Sequence, residues 1–249
     1  MARKTVSAST QSLQSTSAIN FSQATLLAIS FWLYWDANAS DDKMAVESQS
    51  FGTGTGSDMT FSINPNGSSG SVEIGIVGNA GLNNVVMTRP SAATYHHWLV
   101  NIDVSHASQE VRGVYIDSSS QILTPSNTNN NTVGGFSSRL INVLARDNSS
   151  LFADGRIAEL AFWTGINLSG TDATNLFNGT LPSSVQAGNL VNYWKLCGVA
   201  SPETPSAGAV NMTVNGATFV DHPSAVSGSC SGAITGMRPA MRVPNILVF

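Results

Sequence analysis

Along several segments of the chain, apolar and polar residues alternate with a period of two, which is the pattern of β-strands. Between Trp98 and Ser105 the even-numbered residues are apolar and the odd-numbered residues are mostly polar. This segment is predicted to be a strand that packs one face on a core and leaves the other mostly in water. Between Leu26 and Trp35 both alternating sets are largely apolar. That strand is predicted to lie in the middle of a sheet with both faces covered.

Shorter apolar runs predict further strands, and turn-forming residues separate them. A helix is predicted to begin near Ser169, whose hydroxyl can cap the first turn, with Asp172 at the third helical position, and to end at Gly179. Many short strands and one small helix predict a two-sheet sandwich or jelly roll. The further strands are expected near residues 72–76, 111–116, 141–145, 157–163 and 212–214.

Composition narrows the possible partners. The 249 residues suit one large all-β domain with tails. Charged residues make up 10% of the chain, against roughly 25% in an ordinary globular protein, and the net charge is −4. Because Lys and Arg form no cluster, we expect no nucleic acid and no anionic membrane as partner. The longest apolar runs also fall short of the roughly 18 residues of a membrane span.

Six aromatic segments resemble, in their order and in their residue patterns, those of the LamG-like branch of the concanavalin A-like lectin/glucanase family. The resemblance covers roughly residues 19–222 and implies an all-β, concanavalin A-like jelly-roll sandwich of two antiparallel sheets with one short helix. Residues 1–18 are then an N-terminal extended arm and residues 223–249 a C-terminal extended tail. The segments are LLAISFWLYW (26–35), YHHWLVNIDV (95–104), EVRGVYID (110–117), FADGRIAELAFW (152–163), NLFNG (175–179) and LVNYWKL (190–196).

Catalytic residues are not expected. The glucanase relatives carry three carboxylates as E-x-D-x-E on one strand face, and this sequence has no such triplet. Glu159 is the nearest carboxylate on a late strand, and Asp154, five residues earlier, would lie on the opposite face of a regular strand. Sugar binding by analogy with the fold would use aromatic platforms at Trp32, Tyr34 and Tyr115, and core packing is the alternative role of each.

A metal or cofactor is not expected either. His96 and His97 are adjacent, so on a strand their side chains point to opposite faces and do not converge on one ion. The resemblance implies that calcium could lie at the rim of the sandwich, where Asp117, Asp147 and Asp154 stand at loop edges. Without a dense acidic loop to support such a site, the prediction is no metal and no cofactor.

Cys197 and Cys230 are the two cysteines of the chain. They form a disulfide in an oxidising compartment and two free thiols in a reducing cytoplasm, and the sequence leaves both alternatives open.

The chain ends suggest an assembly role. Residues 237–249 combine apolar side chains with only two charges, so we expect them to bury against the domain or against a partner. The N-terminus has no continuous apolar stretch of a signal peptide, which predicts synthesis in a cytoplasm without cleavage. Location in a virion, after synthesis in the cytoplasm of a host, is what the resemblance to tailed-phage structural proteins implies. The predicted anchoring residues are Met237, Met241, Val243, Ile246, Leu247, Val248 and Phe249.

Domains of this appearance are frequent among tailed-phage structural proteins. The resemblance therefore implies a non-enzymatic virion structural protein, a capsid decoration or head-fibre subunit, whose partners are further copies of itself or a major capsid protein. The alternative is a carbohydrate-binding, lectin-like adhesion module that recognises host-surface glycans.

Overall fold

A computed structural model describes residues 2–36, 43–53, 58–65, 67, 70–106, 109–129, 134–198 and 200–230. These residues form eighteen strands, one α-helix, α1 (Gly170–Phe177), and four short 3-10 segments at Ser7–Ser9, Pro182–Ser184, Ala187–Asn189 and Ser224–Cys230. The strands are β1 (Ala2–Thr5), β2 (Ser12–Ser15), β3 (Ile19–Ala24), β4 (Leu26–Trp35), β5 (Val46–Ser48), β6 (Thr60–Asn64), β7 (Val72–Gly78), β8 (Gly81–Met87), β9 (Tyr95–Asp103), β10 (Val111–Ile116), β11 (Ser119–Ser120), β12 (Thr124–Thr128), β13 (Phe136–Arg139), β14 (Ile141–Val143), β15 (Gly155–Thr164), β16 (Leu190–Trp194), β17 (Met212–Asn215) and β18 (Thr218–Val220).

Two large antiparallel sheets make up the sandwich. Sheet A has the strand order β11-β10-β9-β4-β15-β1-β18, and β16 also pairs with β15. Sheet B has the order β12-β8-β7-β6-β5-β14-β2-β17. Strands β3 and β13 form a separate ribbon. Many neighbours in each sheet are far apart in sequence, so both sheets depend on long-range pairing.

The core lies between the two sheets. β4 supplies the alternate residues from Leu27 to Trp35, and Phe31 stacks on Trp98 of β9 with ring centroids 5.9 Å apart. Sheet B contributes the alternate apolar residues of β6, β7, β8 and β14, such as Phe61 and Ile74. β4 pairs with β9 on one side and β15 on the other, and both of its faces are buried. The prediction of a mid-sheet strand with covered faces is confirmed.

A third layer covers the outer face of sheet A. Leu99 of β9 packs there with α1 residues Ala173 and Leu176. Asn101 is buried too, and its polar atoms are satisfied there: the amide donates to the Leu168 carbonyl at 2.8 Å, and the oxygen accepts from the Leu168 backbone N–H at 3.0 Å. The prediction that β9 leaves this face mostly in water is therefore wrong.

Helix α1 begins as its sequence predicts. The Ser169 hydroxyl accepts from the Asp172 backbone N–H, and the Asp172 carboxylate accepts from the Ser169 backbone N–H at 2.8 Å. This reciprocal pair is a capping box. Beyond Phe177 the chain turns at Gly179, where φ is +93°. None of the helices in the described ranges has both the length and the apolar composition that crossing a membrane requires.

The N-terminal residues differ from the predicted extended arm. β1 lies between β15 and β18 in sheet A, and β2 lies between β14 and β17 in sheet B. Arg3 forms a buried ion pair with Glu203, and burial raises the pKa of Glu203 although Arg3 opposes the shift. Ala2 and Leu13 are fully buried. Residues 2–15 belong to the sandwich because strand pairing and the burial of a few side chains stabilise these short segments. Their polar composition alone does not indicate this stabilisation.

The C-terminal segment also begins inside the domain. Val226 packs on Trp32, Ala158 and Ala2 at the outer face of sheet A. Cys197 and Cys230 form a disulfide, with Cα atoms 6.0 Å apart. The first residues of the predicted tail are thus part of the layer that covers sheet A. The predicted anchoring residues between Met237 and Phe249 lie outside the described residues.

Candidate functional site

A row of polar positions crosses the outer face of sheet B. Each of these residues is the direct cross-strand partner of the next, over eight strands, so all of them lie on one face at one level of the sheet. We call them the polar row: Asn127, Asn84, Gly75, Ser62, Glu47, Asn142, Gln14 and Thr213. Asn127 pairs with Asn84 beside an irregular stretch of β12, so this end of the row is the least regular.

Side-chain hydrogen bonds connect parts of the polar row. The Asn127 amide donates to the Asn84 oxygen at 3.0 Å. Further along, the Gln14 amide donates to the Asn142 oxygen at 2.8 Å, and the Asn142 amide donates to Glu47 Oε1 at 3.2 Å. Such pairs fix the orientation of amide groups that can both donate and accept.

A groove opens over the middle of this row. It encloses about 410 Å³ of empty space that includes open solvent. Gly75 forms part of its floor because a Cβ there would stand 2.9 Å from Phe51 Cζ and 3.2 Å from Leu82 Cδ1. The missing side chain lets the Phe51 ring approach the sheet. The lining residues are Phe51, Ser62, Asn64, Glu73, Gly75, Leu82, Asn84 and Arg146.

Arg146 and Phe51 form one wall of the groove together. The Arg146 guanidinium carbon lies 5.6 Å from the centroid of the Phe51 ring, which is a cation–π distance. Arg146 Nε also stands 3.4 Å from Glu47 Oε2. Arg146 therefore holds the Phe51 ring in place, and the buried Glu47 carboxylate holds Arg146.

Glu47 is the buried group that supports this wall. Its side chain is fully buried, and it accepts from the Asp147 backbone N–H at 2.6 Å. Burial raises the pKa of Glu47 to about 7, although the Asp147 N–H, Arg146 and Asn142 all favour its charged form. Because no part of the carboxylate is exposed, it is placed to support the loop above it rather than to touch a ligand.

The loop above Glu47 has an unusual backbone. Between residues 144 and 151, four non-glycine residues adopt positive φ angles of 46° to 57°. Such conformations are costly for residues with a Cβ. The hydrogen bond to Glu47 and the bond from the Ser50 backbone N–H to the Asp147 carboxylate, at 2.7 Å, help to hold the loop in this shape. The four residues are Leu144, Asp147, Asn148 and Leu151.

The predicted sugar platforms lie on the other sheet. Trp32 is only 5% exposed, and its ring stacks on Phe177 of α1 with centroids 5.8 Å apart, so it offers no free ring face. Tyr34 is half-buried under the Arg156 guanidinium, whose carbon is 4.0 Å from the ring centroid. Tyr115 packs beside the start of α1. The structure differs from the prediction at Trp32, and sugar binding by Tyr34 and Tyr115 stays a prediction.

The three aspartates considered for metal lie in separate networks, and His96 and His97 both contact Asp117, whose Oδ1 accepts from the His97 backbone N–H at 2.8 Å. His97 is buried with Nε2 2.8 Å from the Ser30 hydroxyl, and burial lowers its pKa to about 3. His96 Nδ1 is 2.5 Å from an oxygen of Asp117. Asp147 accepts from the Ser50 N–H, and Asp154 accepts from the Ser7 N–H at 2.8 Å. Each carboxylate therefore serves a local network.

Sequence reasoning missed the groove residues. Asn84 in the strand GLNNVVM gave little local signal, because side chains alternate along a strand and Asn84 shares its face with the apolar residues Leu82 and Val86. Glu47 in the short strand VES gave no local signal. Its neighbours come from β14 and from the loop that follows it, about a hundred residues away in sequence.

Comparison with known proteins identifies the fold. No family model matches the sequence, and no curated protein matches it. Among solved structures, a native heptameric SAP-like pentraxin from Limulus polyphemus superposes with a TM-score of 0.51 at 8% identity, over 86% of this chain and 93% of that chain. Full-length tailspike protein 2 from an Escherichia coli O157:H7 bacteriophage gives a TM-score of 0.50 at 13% identity, over 79% of this chain. The chain folds as a jelly-roll sandwich of two antiparallel sheets.

The jelly-roll sandwich confirms the predicted fold class. At these identities the likeness shows the fold alone, and the chain spans only 28% of the length of the tailspike. The resemblance to the LamG-like branch in particular stays a prediction.

Proposed function

We propose that this jelly-roll sandwich is a lectin-like binding module whose groove on the outer face of sheet B binds a carbohydrate. The observation that carries the proposal is the polar row beneath the groove, with Phe51 on the wall. Sugar hydroxyl groups both donate and accept hydrogen bonds, as do the side-chain amides of Asn64 and Asn84. The half-buried Phe51 ring supplies apolar surface for the C–H groups of a sugar.

The charges of the residues that line the groove suit a neutral or weakly charged sugar. Arg146 and Glu73 contribute one charge of each sign, and the remaining lining residues are uncharged. A groove with a few fixed polar groups and one aromatic wall has the composition of a small-ligand site.

We further propose that the module binds its ligand without cleaving it. The sequence lacks the carboxylate triplet of the glucanase relatives. Glu47, the carboxylate on this face whose raised pKa would suit a general acid, is fully buried and committed to the Asp147 N–H and Asn142. A carboxylate in that position supports the groove and does not reach a glycosidic oxygen.

Binding is tested first on a glycan array with the full chain, and then by calorimetric titration of the strongest ligand. Asn84→Ala and Phe51→Ala are expected to weaken binding about 10-fold or more, because each removes a group that lines the groove. Thr213→Ala is the matched control, since Thr213 belongs to the same polar row but lies five strands away from β7. Tyr115→Ala should also leave affinity unchanged.

The proposal fails if no glycan binds above background. It also fails if Tyr115→Ala abolishes binding while Asn84→Ala has no effect, because the site would then lie on sheet A. Incubation with the bound oligosaccharide should produce no new reducing ends, and turnover that a single carboxylate substitution removes would contradict the non-enzymatic assignment.

We propose a virion as the place where the module acts, as a capsid decoration or head-fibre subunit. The support for this is the resemblance of the aromatic segments to domains of tailed-phage structural proteins. Co-purification of the chain with particles that contain a major capsid protein would test it. Deletion of residues 233–249 is expected to abolish incorporation into these particles while the sandwich still unfolds cooperatively. Unchanged incorporation would show that this segment does not anchor the protein.

A further inference from the structure

A cluster of three metal-ligating side chains lies at the outer face of sheet A, remote from the groove. Glu159 of β15, His222 and Cys230 each offer one ligand atom, and these atoms all lie within 4.8 Å of one another. The side chains of Glu159 and His222 are each only 2% exposed. Cys230 ends the 3-10 segment that covers this part of the sheet, and its sulfur is bonded to Cys197.

A bulge in β15 directs Glu159 into this cluster. The pairing between β15 and β4 shifts register between Ala158 and Ala161, and Glu159 has a φ of +54° within the shift. In a regular strand Glu159 would follow Ile157 into the core, and the bulge turns it outward instead. Its carboxylate then accepts a hydrogen bond from the Tyr193 hydroxyl, and burial together with Glu159 raises the pKa of that phenol.

We propose that reduction of the Cys197–Cys230 disulfide converts this cluster into a Zn²⁺ site with Glu159, His222 and Cys230 as ligands. A two-electron reductant such as a phosphine or a dithiol supplies the electrons, the sulfur–sulfur bond breaks, and two protons complete the two thiols. Zn²⁺ then displaces the proton of the Cys230 thiol and binds the thiolate. Glutamate oxygen, histidine nitrogen and cysteine sulfur are all zinc ligands.

The distances fit such a site with one small adjustment. Zinc bonds of about 2.0–2.3 Å place tetrahedral ligand atoms about 3.3–3.8 Å apart. Cys230 Sγ already lies 3.6 Å from His222 Nδ1 and 3.7 Å from Nε2. His222 Nε2 and Glu159 Oε1 are 2.7 Å apart, so this hydrogen bond must open to admit the ion.

The surroundings support the same assignment. The Tyr193 hydroxyl donates to Glu159 Oε2 and leaves Oε1 directed at His222. Hydrogen bonds of this kind orient the ligands of metal sites. A carboxylate and a thiolate together balance the double charge of the ion. Three protein ligands leave a fourth tetrahedral position for water.

The two cysteine variants separate the ligand from the disulfide. Cys197→Ser and Cys230→Ser both lose the disulfide, and each retains one thiol because the chain has two cysteines. With Co²⁺ as a spectroscopic probe, Cys197→Ser should give a thiolate-to-cobalt charge-transfer band without any reductant. Wild type should give the band only after treatment with a phosphine, and Cys230→Ser should not give it under either condition.

His222→Ala in the Cys197→Ser background is expected to weaken Co²⁺ and Zn²⁺ binding more than about 10-fold, because it removes one of three ligands. Circular dichroism of each variant verifies that the sandwich is folded. Should Cys197→Ser fail to fold, phosphine-reduced wild type is titrated with Zn²⁺ and its Tm compared with that of reduced Cys230→Ser. Equal cobalt spectra from the two cysteine variants, or no zinc-dependent rise in Tm of reduced wild type, would overturn the proposal.

Discussion

The outer faces of the two sheets differ in what they present. The outer face of sheet A is apolar, with Leu99, Trp163 and Tyr193 packed beneath α1 and the segments that follow it. The outer face of sheet B carries the polar row and the groove. Both sheets contribute apolar residues to the same core, so the difference lies only in the alternate set of positions along each strand.

Under the proposed function, this difference assigns the covered face to stability and the polar face to ligand binding. Where both residue sets of a strand are apolar, the outer set must be covered, and α1 covers it. On sheet B the outer set consists of amides, hydroxyls, a glycine and Glu47, and only part of it is covered: Glu47 and Asn142 are fully buried, whereas Asn84 is partly exposed and lines the groove. The covered face should therefore be sensitive to truncation, and the polar face should tolerate it.

The largest effect is expected from Trp163→Ala. The Trp163 side chain is fully buried under the third layer, and its indole N–H donates to the Val185 carbonyl at 2.8 Å. Truncation leaves a cavity and an unpaired carbonyl, so the free energy of unfolding should fall by about 3–5 kcal/mol. Urea denaturation measures the change. Thr213→Ala on the polar row should cost less than about 1 kcal/mol, and equal losses at the two positions would refute the contrast.

The second largest effect is the pH dependence of stability caused by Glu47, a fully buried carboxylate on the polar face. Its folded pKa of about 7 lies above the ordinary value of 4.5, so the folded state retains the proton where the unfolded chain releases it. This contribution to stability is fully present below pH 4.5 and is lost as pH rises to about 7. The shift of about 2.5 pH units corresponds to about 3 kcal/mol.

Glu47→Gln should remove this pH dependence. The difference in unfolding free energy between variant and wild type should change by about 3 kcal/mol in favour of the variant between about pH 4 and pH 8. Denaturation at a series of pH values measures it. Parallel pH profiles for the two proteins would show that Glu47 does not titrate with a raised pKa.

The sequence was sufficient for parts of the fold whose signal is local. β4 was predicted because both of its residue sets are apolar, and α1 because Ser169 and Asp172 form its cap. β2 was missed because the segment SLQS is too short to show a period, and its place in sheet B comes from pairing with β14 and β17.

The candidate site was harder to predict for the same reason. Each strand contributes one residue to the polar row, and a shift of one residue in any pairing would send that residue into the core. No local pattern specifies so many successive pairings. The bulge at Glu159 reverses the face that strand alternation predicts, so its approach to His222 was equally hidden.

A smaller effect on stability is expected from Gly75→Ala, which tests the polar face directly. The added Cβ would meet Phe51 Cζ at 2.9 Å and Leu82 Cδ1 at 3.2 Å, so the Phe51 ring must move away from the sheet. Overpacking of this kind costs about 1–3 kcal/mol. Urea denaturation gives the cost, and affinity for the array-selected glycan should fall with it. Unchanged affinity would remove Phe51 from the binding wall.

The smallest effect is expected from Ser169→Ala at the start of α1, which tests how firmly the cover of sheet A is held. The substitution removes the hydroxyl that accepts from the Asp172 N–H, while the reverse bond from the Ser169 backbone N–H to the Asp172 carboxylate remains possible. Loss of one capping bond costs about 1 kcal/mol. Hydrogen exchange should show faster opening of α1, with β7 and β8 of sheet B unchanged. Faster exchange in both sheets to the same degree would mean that the cover and the polar face open together, and that the two faces are not independent parts of the sandwich.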